Sequence, residues 1–286
     1  MPELPEVETV VRGLRPHLAG QKIAQAQVFS TKIRIPIPKT LVSDLVGARI
    51  LDVERRAKYI YVHLDRDITM VIHLGMTGSV ILTKNKADKT ATAFAAKRHD
   101  HLWVRFEDGT EIVFSDPRRF GVLTSMATKT LIEWPPIASL GPEPLDKKFT
   151  GEVLHARLKG RKTPIKVALM NQEIVVGVGN IYASEALFKA GISPLREAGT
   201  LSIAKVSLLV EAIKTVLKAS IRAGGSSLRD YRQASGEVGF FQDKFSVYDR
   251  EGLACPGCTC HVERTGGIKR LVQGGRATFF CPRKQK

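Results

Sequence analysis

The hydrophobic residues of this chain pass from a helical pattern to a strand-like one and back again, and that excludes an all-helical or an all-β fold. From about residue 22 to 125 the pattern is strand-like. Tyr59-Ile-Tyr-Val-His-Leu64 and Thr69-Met-Val-Ile-His-Leu74 are joined by the polar turn Asp65-Arg-Asp, and Glu107-Asp-Gly-Thr110 separates His101-Leu-Trp-Val-Arg-Phe106 from Glu111-Ile-Val-Phe114. Several antiparallel strands of this kind predict a sandwich or a barrel. Before them, Val7, Val10, Val11, Leu14 and Leu18 recur at helical spacing, with Pro5 suited to a first turn and Gly20 to a stop. Beyond residue 150 the helical period returns, most clearly from Ile203 to Ile221 behind a capping Ser202, until Gly224-Gly225. The proline-bearing stretch between, with Trp134-Pro-Pro136 and Gly141-Pro-Glu-Pro144, reads as a linker. The expected organisation is therefore α+β with two domains: a β-sandwich domain with flanking helices over 1–125, a linker over 126–150, a helical domain over 151–245 and a small tail module over 246–286. The lysine-rich segment 84–98 reads as a mobile loop.

Lys and Arg outnumber Asp and Glu by 44 to 28, a formal charge of +16. In a folded chain that surplus points to a polyanion, nucleic acid first and an anionic membrane second. No long Lys-rich amphipathic helix with aromatic anchors supports the membrane, no apolar run has transmembrane length, and the N-terminus has no signal-peptide pattern. The expected setting is cytoplasmic.

The start of the chain carries chemistry. Removal of Met1 would leave Pro2 with a free secondary amine, and an α-amino group with a pKa of roughly 7.7–8.0 is partly neutral near pH 7. A neutral amine can attack an electrophilic carbon and form an iminium, with the neighbouring Glu3 placed to pass a proton. Lys58 follows Arg55 and Arg56, a crowd of cations that should lower the lysine pKa and favour a phosphate nearby. Asp116-Pro-Arg-Arg-Phe120 is a stiff turn presenting Arg118 and Phe120, and Met76 is an apolar side chain in a glycine-flanked turn. Such wedges fill the gap left when a nucleotide is flipped from a duplex, while an arginine fork can meet the orphaned base. Gly177-Val-Gly-Asn180 before a helix offers N–H groups to an anion.

These segments, taken in order, resemble the bacterial formamidopyrimidine-DNA glycosylases: Pro2-Glu-Leu-Pro-Glu-Val-Glu8, Arg55-Arg-Ala-Lys-Tyr59, His73-Leu-Gly-Met-Thr-Gly78 with His99-Asp-His101, Asp116-Pro-Arg-Arg-Phe-Gly121, Val176-Gly-Val-Gly-Asn-Ile-Tyr-Ala-Ser-Glu185, and Gly274-Gly-Arg-Ala-Thr-Phe279 before Cys281. The resemblance implies a β-sandwich domain, a helix–two-turns–helix domain with a zinc-finger-like β-hairpin, and double-stranded DNA with oxidised purines or abasic sites bound by a monomer in the cleft between domains. It implies a base-excision glycosylase and abasic-site lyase. Pro2 attacks C1′, Glu3 protonates the opening sugar, Lys58 serves β-elimination, and Arg276 holds the phosphate for δ-elimination. Met76 and Phe120 become wedges and Arg118 the opposite-base contact. His99 and Arg161 match DNA-binding positions, and Lys166 and Asn180 match residues that grip phosphates around the flipped nucleotide. The segment from Gly224 through Phe240-Phe241 resembles the loop that closes over the damaged base. A related group, of endonuclease VIII type and specific for oxidised pyrimidines, usually has glycine where this chain has Leu4. A non-catalytic DNA-binding protein on the same scaffold is the other alternative, against which Pro2, Glu3 and Lys58 argue.

All four cysteines lie between 255 and 281. Cys255-Pro-Gly-Cys258 is a two-thiolate knuckle, and the family closes its zinc site with a second Cys-x-x-Cys. Here that segment reads Cys281-Pro-Arg-Lys284, after a longer gap than usual. One structural Zn2+ on Cys255, Cys258 and Cys281 is the expectation, with Cys260 or His261 as the fourth ligand.

Overall fold

The computed structural model describes residues 1–84, 94–227, 231–258 and 261–286. It divides into two compact units, one of residues 1–138 and 223–240, the other of 139–222 and 241–286.

The first unit is a sandwich of two antiparallel four-stranded sheets. One has β1 (Ile23–Val28), β6 (Asp100–Phe106), β7 (Thr110–Ser115) and β5 (Ser79–Lys84) in that spatial order. The other has β2 (Ile50–Arg56), β3 (Tyr59–Leu64), β4 (Ile68–His73) and β8 (Val122–Ala127). Helix α1 (Leu4–Leu18) lays Val7, Val10, Val11, Leu14 and Leu18 into the same core as Ile60, Val62, Ile72, Val104 and Phe114. Its spacing puts those side chains on one face, which is why an amphipathic helix and two alternating sheets share one core. Two short helices, α2 (Leu41–Leu45) and α3 (Pro135–Ala138), complete the unit.

The second unit is helical, with α4 (Gly151–Leu158), α5 (Ile165–Met170), α6 (Asn180–Ala190) and α7 (Ile203–Arg222). Ser202 stands before α7 as expected, its hydroxyl accepting from the Lys205 N–H at 3.4 Å. A short helix α8 (Val262–Thr265) precedes the hairpin β9 (Lys269–Gln273) and β10 (Arg276–Phe280). The Gly274-Gly275 turn of that hairpin has both φ values positive, at 53° and 72°, as a two-residue hairpin turn of the primed type demands.

Two features differ from the sequence reading. The stretch 126–150 is largely structured, since β8 runs to Ala127, and Leu131, Ile137 and Phe149 are buried. Residues 223–240, assigned by sequence to the helical domain, group with the sandwich: Tyr231 and Ala234 belong to its core, and the Leu82 N–H donates to the Ala234 carbonyl at 2.9 Å. Most of the expected mobile loop at 84–98 lies outside the described residues. Among the described residues no helix is long and apolar enough to cross a membrane.

Candidate active site

The N-terminus is a built element. Pro2 and Glu3 are buried beneath an exposed Met1. Glu3 is the N-cap of α1, and its N–H donates to the Glu6 carboxylate at 2.8 Å in a reciprocal capping box. The other oxygen of that buried carboxylate accepts from the Ser226 N–H at 2.8 Å, and the Tyr231 hydroxyl donates to the Glu6 carbonyl at 3.2 Å. Burial, reinforced by the Glu6 charge, pushes the Tyr231 phenol above its ordinary pKa, so it acts as a donor. Gly225 permits the close approach: at φ 83°, a Cβ there would lie 3.1 Å from the Glu6 side chain. The loop after α7 is thereby fastened at its base to the turn that carries Pro2. Residues 228–230 of that loop lie outside the described set.

Lys58 occupies a two-residue turn between β2 and β3, and Ala57 before it has φ 53°. A left-handed alanine costs about 1–2 kcal/mol. Arg55 does not share a free cationic crowd with Lys58. Its guanidinium, only 9% exposed, donates to Glu8 at 2.9 Å and to the Ala57 carbonyl at 2.9 Å, while Arg12 donates to the other Glu8 oxygen at 2.7 Å. Burial works to raise the Glu8 pKa, but the two guanidinium groups outweigh it and hold the carboxyl below its ordinary value. This ion pair joins the early turns of α1 to the end of β2, beside the Lys58 turn.

Next to that turn, Tyr59 stands opposite His73 across β3 and β4, with ring centroids 4.8 Å apart. His73 Nδ1 accepts from the Gly75 N–H at 2.9 Å, which requires the neutral Nε2–H tautomer. Arg34, which the sequence reading missed, lies close enough for its charge to act on both rings, and its N–H donates to the Gly121 carbonyl at 3.3 Å. Its only sequence signal was one more cation in a polar stretch.

The two wedge-bearing turns interlock. Gly75 has φ 61°, and a Cβ on it would sit 2.5 Å from both the Phe120 carbonyl carbon and the Gly121 nitrogen. Buried Asp116 organises the partner turn, accepting from Thr77 Oγ1 at 2.8 Å, from the Gly121 N–H at 2.7 Å and from the Arg118 N–H at 3.3 Å. Met76 and Phe120 are left 36% and 45% exposed, large apolar side chains facing water. The Arg118 guanidinium rests 5.1 Å from the Phe120 ring. The His99 carbonyl accepts from the Asp116 N–H at 3.0 Å, so this histidine borders the same turn.

Asn180 opens α6, where Gln172 holds the preceding glycine loop by accepting from the Gly177 N–H at 2.8 Å. Lys166, expected to grip a phosphate, is fully buried. Its ammonium donates to Asn180 Oδ1 at 2.5 Å, Thr278 Oγ1 at 2.7 Å and the Ala277 carbonyl at 2.9 Å. Three acceptors satisfy the charge, so Lys166 bolts α5 and α6 to the strand that presents exposed Arg276. Arg161 is exposed after α4, its Nε donating to the Arg157 carbonyl at 2.8 Å.

The Sγ atoms of Cys255, Cys258 and Cys281 lie within 4.8 Å of one another, with Cys255 and Cys281 buried. Cys255 and Cys258 are 2.9 Å apart, and Cys258 and Cys281 are 3.6 Å apart. Among the described residues no histidine or carboxylate joins them, and His261 instead caps α8 with its carbonyl. Cys260 lies outside the described residues. Three soft donors converging at this spacing suit a thiophilic divalent cation.

The chain matches the formamidopyrimidine-DNA glycosylase N-terminal domain over residues 1–123 and the formamidopyrimidine-DNA glycosylase H2TH domain over 140–232. It is 50% identical to the formamidopyrimidine-DNA glycosylase of Rhodospirillum rubrum and 49% identical to that of Cereibacter sphaeroides, covering all of each chain. Among solved structures it resembles a point variant of the Lactococcus lactis enzyme bound to DNA containing Fapy-dG, at 31% identity and a TM-score of 0.87 over the whole of both chains. It likewise resembles the Lactococcus lactis enzyme bound to abasic-site DNA, at 31% identity and a TM-score of 0.86 over 99% of both chains.

Proposed function

The chain belongs to the formamidopyrimidine-DNA glycosylase family, and on that premise we propose that it excises oxidised purines through the amine of Pro2 and cuts the strand at the site it creates. It is a DNA glycosylase of base excision repair with abasic-site lyase activity, and its partner is damaged double-stranded DNA. Its relatives are bacterial, and the bacterial cytoplasm is its place of work.

The observation that carries the reading is the buried Pro2-Glu3 start of α1, locked by the Glu6 capping box and tied through Glu8 and Arg55 to the turn that presents Lys58. Once Met1 is removed, the Pro2 lone pair attacks C1′. The N-glycosidic bond breaks and its electron pair leaves with the base, Glu3 gives a proton to the opening ring oxygen, and an iminium joins Pro2 to the sugar. Lys58 serves the loss of the C2′ proton, and the 3′-phosphate leaves as the new double bond forms. Arg276 holds the phosphate lost in δ-elimination. Met76 and Phe120 fill the vacated stack, and Arg118 meets the orphaned base. His99 and Arg161 contact DNA, and Asn180, at the start of α6, turns its remaining amide capacity to a phosphate. Cys255, Cys258 and Cys281 would hold one structural zinc ion that fastens the hairpin.

Borohydride trapping on a duplex with 8-oxoguanine opposite cytosine tests this. The expected result is one covalent adduct that mass spectrometry maps to Pro2, and none with Pro2→Gly. Equal trapping by both proteins would remove Pro2 as nucleophile.

A further inference from the structure

His101 lies near the start of β6, fully buried, and its ring joins two loops of the sandwich unit. Its Nε2 stands 3.0 Å from the Asp116 carbonyl and its Nδ1 2.8 Å from the Ser30 hydroxyl. A carbonyl oxygen can only accept, so Nε2 carries the hydrogen, and Nδ1 is left to accept from Ser30. Asp116 heads the turn that presents Arg118 and Phe120, and none of its polar groups is idle. Its N–H donates to the His99 carbonyl at 3.0 Å, and its carbonyl also accepts from the Arg119 N–H at 3.3 Å. Its carboxylate takes the Thr77, Gly121 and Arg118 donors. Arg119, inside the turn, has φ 57°, a left-handed conformation that a side-chain-bearing residue keeps only where its surroundings over-determine it. The segment carrying Ser30 holds the turn a second time, the Arg34 N–H donating to the Gly121 carbonyl at 3.3 Å. The same segment is tied to β6 by the Phe29 N–H, which donates to the His101 carbonyl at 3.0 Å. The wedge turn therefore rests on a relay, Ser30 to His101 to Asp116, whose middle member is buried away from water.

We propose that His101 is a positioning residue for opening the duplex: it fixes the Asp116 turn in the conformation that delivers Arg118 and Phe120 to the DNA, without touching DNA itself. The inference rests on the reading of those side chains given above. The full-length enzyme is compared on two substrates. A duplex with 8-oxoguanine opposite cytosine needs the wedge turn, whereas a single strand with an abasic site has no orphaned base and no duplex stack to fill. In single turnover, excision from the duplex by His101→Leu should slow by about ten- to a hundredfold, the scale on which a misplaced group far from the reacting atoms costs rate. Borohydride trapping on the single strand should keep its wild-type rate. His101→Gln should recover most of the duplex rate, because its amide carries a donor and an acceptor on one carbon, as the two ring nitrogens flank Cε1. Ser30→Ala removes only the outer hydrogen bond and should show the same duplex-only loss on a smaller scale. It stands in for His101→Leu if that variant does not fold.

An equal loss on both substrates would make His101 a general packing residue and overturn the proposal. So would a wild-type duplex rate in His101→Leu, or in Ser30→Ala where it stands in. Phe120→Ala is the reference for a lost wedge: if it excises from the duplex at the wild-type rate, the wedge reading falls, and this inference with it, while the Pro2 chemistry stands. A wild type that forms no adduct on either substrate would instead overturn the Pro2 reading.

Discussion

Burial, together with the nearby Lys58 and Arg34 charges, lowers the His73 pKa from an ordinary 6.5 to about 4, with Asp116 working the other way. The ring is thus neutral in the fold at every pH where DNA would be repaired, as its acceptor Nδ1 requires. Because the folded value lies below the unfolded one, the unfolded chain takes up a proton first as pH falls. His73 therefore costs nothing above pH 6.5, and stability is lost as pH falls from there to about 4. Allowing for the ring's partial exposure, the loss is about 2 kcal/mol. Urea unfolding at pH 7 and pH 4.5 should show this fall in wild type and a smaller one in His73→Gln, which keeps an acceptor for Gly75. An equal fall in both proteins would show that His73 is not the titrating group.

Lys166 connects elements that sequence places far apart, α5, the start of α6 and β10. Lys166→Met removes the shared donor and leaves three acceptors without it, a cost of about 3 kcal/mol or more at roughly 1–3 kcal/mol for each. Since Arg276 begins that strand, DNA binding should weaken too. The salt dependence of binding should nevertheless keep its slope, because the lost cation faces the interior; a shallower slope would return Lys166 to the phosphate contacts. Residue type and period showed which segments would be strands and helices: β3 and β4 are runs of strand-forming residues buried on both faces, and the long stripe of α7 needs one buried face. They could not show that β1 pairs with β6, or that residues 223–240 return to the sandwich, because polar glycine-rich loops have no period and the Tyr231–Glu6 contact spans 225 residues. Pro2, Glu3 and Lys58 stood out through their segments, yet the Ala57 turn and the Glu8–Arg55 pair that position them depend on tertiary contacts. The hint for Lys166 was available: it is the single charge in Ile165-Lys-Val-Ala-Leu-Met170, an apolar setting in which lysine is rarely placed unpaired.

A formal charge of +16 is a property of the whole chain, and it becomes a measurable statement about DNA only through the cations that reach phosphate. Lys58 and Arg34 belong to the sandwich unit, and Arg161 and Arg276 to the helical unit. Each phosphate neutralised releases counterions, so about four such contacts give a log–log slope of affinity against salt near −3 to −4. Most of the remaining surplus contributes to long-range attraction and not to that slope, because screening at about 0.15 M salt cuts it off within roughly 8 Å. Binding to an undamaged duplex, measured between 50 and 200 mM salt by fluorescence anisotropy, checks the count without invoking catalysis. Arg276→Ala should make the slope shallower by about one. Arg118→Ala should leave the slope nearly unchanged on a flipped-base analogue, since its proposed partner there is a base edge, and weaken binding by about 1–3 kcal/mol. A wild-type slope near −2 would mean that only part of this cation set touches phosphate, and an unchanged slope in Arg276→Ala would then show that the helical unit's share is the missing one.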